Sequence, residues 1–363
     1  MFFLQKKEKK NQARKSWIAC CLILMYFVIF RSYHLNEQIL ADNKQEESIK
    51  NTTSEVEITT NSEKIFQKEF FSLTLSTNSK LIIDSVENSY MQRKIQIKVS
   101  GLTEEAILLN SLQLNSTFNL DRLNISQVKK VSVEYSQHEK MIEATICISL
   151  DSVYEVQSDI NSNQIKLKFY RPKDVYKHVL VVDAGHGGKD SGAISKDNSY
   201  YEKDINLSML LKLKELLIEK NIKVYYTRVT DEYVESEARV RLANDIGADL
   251  FLSIHCNSAK STEPNGTWVL YQENSQLTNM NSMKFANIMS KAMEESITLS
   301  NGGLFTADHV RIIKQAKVPV ALIEVGFMSN QSDLQYLLNE NNQEKVASGL
   351  YKGIKEALLQ IEK

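Results

Sequence analysis

Four residues in the C-terminal half have the types and positions to assemble a catalytic metal site. Asp183-Ala184-Gly185-His186-Gly187-Gly188-Lys189-Asp190 follows the apolar run Val179-Leu180-Val181-Val182. His255 closes the run Phe251-Leu252-Ser253-Ile254, and Glu324 closes Ala321-Leu322-Ile323 ahead of Val325-Gly326. Glu202 lies between them, just before a segment of helical spacing. Two imidazoles and a carboxylate ligate a catalytic zinc with a fourth position left for water, and one further carboxylate serves as base. The glycines beside His186 let the backbone turn sharply enough to bring its ring to a metal.

Each of these residues also has a plainer reading. A histidine at a strand end is most often a polar residue near solvent, and Glu202 suits the first turn of a helix through the helix dipole. Glu324 is harder to dismiss, because a charge ending an apolar strand is costly if buried unpaired. The glycines of 185–188 are a poor phosphate cradle, since no Lys-Ser/Thr pair follows. Cys256 points away from His255, because adjacent side chains in a strand face opposite sides. Asn257 points the same way as His255 and is a candidate for supporting contacts, together with Arg239 and Asp183.

The elements that must position these residues are legible from periodicity. After Pro172, apolar strands alternate with helical spacing: Val179–Val182, then Ile205–Leu217 as a helix, Val224–Tyr226, Ala238–Ile246 as a short helix, and Leu250–His255. Thr267–Tyr271, a helix over Met283–Ser296, Val320–Glu324 and a closing helix over Glu344–Leu359 complete the series. Such alternation predicts an α/β domain over 174–363, a mostly parallel sheet flanked by helices. Sites in these folds gather at the carboxyl ends of strands, where His186, His255 and Glu324 fall. From about 66 to 172 the period is two instead, as in Phe71–Leu75, Ile95–Val99, Val131–Tyr135, Met141–Leu150 and Ile165–Phe169. That predicts a small β-sandwich, a binding or spacer module with no cluster of chemical residues. Of 12 glycines only Gly101 precedes residue 180, and all three prolines lie beyond 170, so tight backbone chemistry belongs to the C-terminal half.

Composition narrows the class further. The 363 residues carry 44 Lys+Arg against 45 Asp+Glu, a balance that gives no basic face for nucleic acid. Four cysteines are too few and too scattered for a disulfide framework or a Cys-rich zinc site. Residues 1–16 hold six basic side chains against Glu8, and Trp17–Phe30 follow without a charge, closed by Arg31. With no small-residue cleavage pattern after Phe30, this predicts an uncleaved signal-anchor over 17–31. Its basic tail would be cytoplasmic, and the rest of the chain would lie outside a membrane crossed once. Residues 32–65 are polar and mildly acidic and read as a flexible linker.

Four ordered motifs carry a family resemblance. Asp183-Ala184-Gly185-His186-Gly187-Gly188, Tyr201-Glu202-Lys203-Asp204-Ile205-Asn206-Leu207, Ser253-Ile254-His255-Cys256-Asn257 and Glu324-Val325-Gly326-Phe327-Met328-Ser329-Asn330 resemble the signatures of zinc-dependent N-acetylmuramoyl-L-alanine amidases of the family-3 type. Thr227-Arg228 with Asp231, Arg239 with Ala243-Asn244, and Gly266 before Trp268–Tyr271 fit as well. The resemblance spans about 178–361 and implies one zinc ion on His186, Glu202 and His255, with Glu324 as the catalytic glutamate. It implies peptidoglycan as substrate. Ala184, Cys256 and Asn301 depart from the family pattern, where proline, alanine and arginine are usual. The β-region resembles, more faintly, the AMIN-type modules that precede such domains, which implies a place at the cell wall. Two rival readings are a silent wall-binding or activator protein that keeps the fold, and a zinc peptidase or deacetylase. Finally, the apolar stripe of Met283–Ser296 predicts a helix that covers the sheet rather than a lid over the metal, and hence an open groove that works without a protein activator.

Overall fold

All seven residues of one strand, His178–Ala184, are buried, because helices cover both faces of the sheet to which it belongs. The computed structural model describes residues 70–76, 82–102, 126–138, 141–161, 164–219, 221–273 and 279–363. The expected basic tail (1–16), signal-anchor (17–31) and linker (32–65) lie outside the described residues, and among those described no helix is long and apolar enough to cross a membrane.

The N-terminal strands form two antiparallel sheets. β1 (Phe71–Ser76), β7 (Gln164–Tyr170) and β6 (Glu155–Asn161) make one, in the order β1-β7-β6. β2 (Ile82–Ser89), β3 (Lys94–Leu102), β5 (Met141–Leu150) and β4 (Val128–His138) make the other, in the order β2-β3-β5-β4. Leu73, Leu167 and Phe169 from the first share a core with Ile95, Ile97, Ile146 and Ile148 from the second, which is the sandwich that period-two alternation predicts. The periodicity did not reveal β2 and β6. Both are edge strands with mixed polar sequences, so neither needs a clean apolar face.

The C-terminal half is built on a six-stranded sheet in the order β12-β11-β13-β10-β8-β9. Its strands are β8 (His178–Ala184), β9 (Ile222–Tyr226), β10 (Leu250–Asn257), β11 (Thr267–Tyr271), β12 (Asn301–Thr306) and β13 (Val320–Phe327). Every neighbouring pair is parallel except β11–β13. Seven helices accompany it: α1 (Pro172–Val175), α2 (Glu202–Leu216), α3 (Ser236–Asp245), α4 (Ser282–Ser296), α5 (Arg311–Gln315), α6 (Gln331–Leu338) and α7 (Glu340–Ile361).

On one face, Leu210 and Leu213 of α2, Phe285 and Met289 of α4 and Leu350 of α7 bury Val182, Ile254 and Ile323. On the other, α3 and α5 set Val240, Ala243 and Ile312 against Val181, Phe251 and Leu322. Alternation therefore leaves Asp183, Ser253, His255 and Glu324 on the α3/α5 face, at the end of the strands that these two short helices leave uncovered. The expectation for α4 holds: its apolar stripe lies in the core. Periodicity predicts no element between the Met283–Ser296 helix and Val320–Glu324, where β12 and α5 stand. β12, with sequence NGGLFT, is a short edge strand whose two glycines hide its pattern.

Candidate metal centre

The fold brings three of the four expected residues into one cluster. Ligand atoms of His186, Glu202 and His255 lie within 4.8 Å of one another. The rings of His186 and His255 meet edge to face, with centroids 4.9 Å apart. Glu202 is the first residue of α2, not the one before it, and is almost wholly buried. Its Oε2 lies 3.2 Å from His186 Nε2 and its Oε1 2.9 Å from His255 Nδ1. Backbone amides fix it further: Ala193 N–H donates to Oε2 and Cys256 N–H to Oε1, and the Asn206 side chain also donates to Oε1.

His186 adopts a left-handed backbone (φ 61°), rare for a residue with a Cβ and costing about 1–3 kcal/mol unless its surroundings enforce it. Two buried arginines do so. Arg239 donates to the carbonyl of His186 at 2.7 Å and of Ala184 at 2.7 Å, and pairs with Asp183. Arg228 donates to the carbonyls of Ala184 and Gly185, both at 2.9 Å. Asp183 is fully buried and also accepts from Ser253 Oγ and Thr227 Oγ1. Burial works against its charge, but Arg239 and these hydroxyls outweigh that and hold its carboxyl below the ordinary value. Asp183 and Arg239 thus shape the loop and do not reach the ligand atoms. Asn257 accepts from Ser258 N–H through its own Oδ1 at 2.8 Å, a local turn contact.

Charge follows geometry in the metal-free cluster. Burial pulls the His186 imidazole down, but Glu202 and Asp190 push it up to about 9. His255 is raised by Glu202 and Glu324 against its burial. Glu202, opposed by burial, is held well below the ordinary range by the two histidines. Two imidazoles and one carboxylate so arranged suit one metal ion, and the neutral rings that a metal needs would be obtained by displacing protons.

Glu324 pairs in register with His255 across parallel β13 and β10, so both project from the same face. Its Oε2 is buried and has no hydrogen-bond partner. Burial pushes this carboxyl up to about 7, with Glu202 adding to the rise. A cleft of about 120 Å³ opens beside the cluster, bounded by His186, Tyr233, Arg239, His255, Arg311 and Leu322. Cys256, as expected, points into the helix-covered core.

Sequence reasoning missed Asp190. Its Oδ2 lies 2.9 Å from His186 Nδ1, which orients the ring and leaves Nε2 toward the cluster. It stands in the quoted glycine-rich run four residues after His186, but its contact depends on a turn that no periodicity encodes. Asn206 could have been found, because it lies one helical turn after Glu202 on the same face of α2.

Known proteins place this region in a family. Residues 180–356 match the family model described as N-acetylmuramoyl-L-alanine amidase. Uncharacterized protein YqiI of Bacillus subtilis is 35% identical over 175 residues, covering 48% of this chain and 82% of that protein. N-acetylmuramoyl-L-alanine amidase LytC of the same organism is 31% identical over 192 residues, 53% of this chain; the chain spans only 36% of the length of LytC. Among solved structures, the catalytic domain of CwlV, an N-acetylmuramoyl-L-alanine amidase from Bacillus (Paenibacillus) polymyxa var. colistinus, is 37% identical. The match covers 49% of this chain and 97% of that one, with a TM-score of 0.46. Through its C-terminal half, the chain belongs to the N-acetylmuramoyl-L-alanine amidase family.

Proposed function

We propose that this chain is a zinc-dependent peptidoglycan hydrolase that cleaves the amide between the lactyl group of N-acetylmuramic acid and L-alanine. The observation that carries the reading is the convergence of His186, Glu202 and His255 within 4.8 Å, with an unpartnered buried carboxylate oxygen on Glu324 one strand away. The donor set fits zinc: two imidazoles and one carboxylate, with room for a fourth ligand. Bound there, Zn2+ would supply Lewis acidity, lowering the pKa of water toward about 7 and polarising the amide carbonyl.

The chain's own groups do the rest. Asp190 holds His186 in the orientation that presents Nε2. Glu324, beside His255 in register and with Oε2 free of other hydrogen-bond partners, takes a proton from the attacking water and returns it to the leaving alanine nitrogen. The cleft beside His255 offers a place for one arm of the substrate, and no activator is needed to open it.

In the same reading, the basic and then apolar sequence of 1–31 tethers the enzyme to the outer face of the cytoplasmic membrane. The linker and an AMIN-like β-sandwich then carry the catalytic half toward the wall.

The test is a digest of purified peptidoglycan followed by mass analysis. Free stem peptides bearing an N-terminal L-alanine are expected, and Glu324→Gln should retain zinc while losing turnover. Cut stems would instead indicate a peptidase, and an unaltered digest with zinc bound would indicate a silent binder.

A further inference from the structure

We infer that Trp268 and Phe305 form an aromatic subsite beside Glu324 that takes a pyranose ring of the glycan strand, and so fixes which way the substrate lies; this rests on the amidase reading above. β11 runs antiparallel to β13, and Trp268 is the direct partner of Glu324. Directly opposed residues share a face, so Trp268, Glu324 and His255 form one row across three strands. Phe305 pairs with Leu270, two residues along β11 from Trp268, and therefore stands on that face as well. The indole and the phenyl ring stack at 4.4 Å with planes 27° apart, and Phe327 supports the indole edge to face at 5.1 Å.

Several features make this a surface for a ligand and not a closed core. Phe305 is 37% exposed and Trp268 partly so. The indole N–H has no acceptor among the described residues. Gly302 lets the backbone of β12 pack directly against the indole edge, where a Cβ would lie 2.2 Å from the ring, and nothing stands within 4 Å of a Cβ at Gly303, so open space adjoins the pair there.

The chemistry selects the occupant. One arm of the scissile amide begins with alanine, whose methyl gains little from a broad aromatic plane. The other arm is a pyranose, whose face of polarised C–H groups complements the negative face of an aromatic ring. The ring is joined to the reacting carbonyl by a short lactyl ether, and Trp268 is one strand spacing, about 4.8 Å, from Glu324. The two sides of the row also differ. Trp268 and Phe305 lie toward β12, whereas the cleft with Tyr233, Arg239 and Arg311 lies toward β8 and is suited to the peptide arm.

The test uses the zinc-loaded full chain. Two substrates are compared: a muramoyl-L-alanyl peptide, and the same peptide carrying only the lactoyl group without the sugar. Phe305→Ala and Trp268→Ala should raise KM about tenfold on the first with kcat little changed, and Trp268→Phe should recover most of the loss. Neither alanine variant should alter KM on the second. In parallel, a Trp17→Phe background leaves Trp268 as the sole indole, and peptide-free GlcNAc–MurNAc oligosaccharide should change its fluorescence saturably. Equal losses on both substrates would mean that the platform holds the peptide and would overturn the inference, as would a fluorescence signal indifferent to the sugar. A wild-type protein that responds to the sugar yet cleaves neither substrate would refute the amidase reading while leaving this subsite standing.

Discussion

Gly185 lies against the imidazole of His255 so closely that a Cβ on it would sit 2.1 Å from ring atom Cε1 and 2.2 Å from Nε2. The glycine is there for space, because its backbone does not adopt the left-handed conformation that its neighbours use. Gly185→Ala must therefore push His255 out of the cluster. We expect this variant to fold, since both helix-covered cores lie elsewhere, but to purify without stoichiometric zinc. Gly247→Ala is the control: it meets a strained backbone (φ 57°) but nothing within 4 Å, and should keep its metal. Elemental analysis of both proteins decides the matter, and full zinc occupancy in Gly185→Ala would disprove the ligand role of His255.

The contact between Asp190 and His186 Nδ1 predicts a graded effect. Asp190→Ala should weaken zinc binding by about 10–100-fold without unfolding the protein, because such supporting carboxylates fix ring orientation and ligand basicity. Asp190→Asn keeps an acceptor oxygen and should lose less. Competition against a chelator of known affinity measures both. An affinity unchanged in the alanine variant would show that the ring is held in place by the loop alone.

How far the site was legible beforehand depends on where each residue sits. His255 and Glu324 were visible because a polar residue that ends an apolar strand breaks its pattern, and both strands are central in the sheet. Glu202 was visible only through the start of α2. The loop that carries His186 was recognisable from its glycines, and Arg239 and Asp183 were among the candidates for supporting contacts, but what they hold was not legible. Arg228 and Arg239 lie 45 and 56 residues after Asp183 and reach its loop only because β8 and β9 pair and α3 returns across them. Edge strands β2, β6 and β12 stayed hidden because exposure removes the need for alternation. The antiparallel entry of β11 next to β13 was equally invisible, and with it the adjacency of Trp268 to Glu324.

Buried charge in the loop scaffold predicts a large stability effect away from the metal. Asp183→Ala leaves Arg239 buried without its carboxylate partner and removes an acceptor from Ser253 and Thr227. Breaking a buried pair on one side costs about 3–5 kcal/mol, and we expect that loss in denaturant unfolding of the metal-free protein. Because Arg239 also grips the carbonyls of Ala184 and His186, the variant should bind zinc less well too. Stability within about 0.5 kcal/mol of wild type would refute the scaffold role, since that is the ordinary scale of a surface change.

Protonation of the empty cluster gives opposite pH dependences for folding and for metal binding. His186 has a folded value of about 9 against an ordinary value of 6.5, so the metal-free fold gains stability from holding this proton. That gain is complete below pH 6.5 and is lost as pH rises through about 9, when the folded form releases the proton as well. Glu202 is shifted the other way: its contribution is present above its ordinary value of 4.5 and fades only as pH falls toward its depressed folded value. With Glu202 ionised throughout the neutral range, the slope there comes from His186 together with His255 and Glu324, whose raised values act in the same direction. Chelator-treated protein should therefore melt at progressively lower temperature between pH 6.5 and 9. Zinc needs the neutral imidazole and must displace the same proton, so its affinity should climb across that interval. Thermal melts with and without metal, taken in parallel over this range, show both slopes. A melting temperature of the metal-free protein that stays level or rises toward pH 9 would mean that the empty cluster holds no extra proton, His186 included.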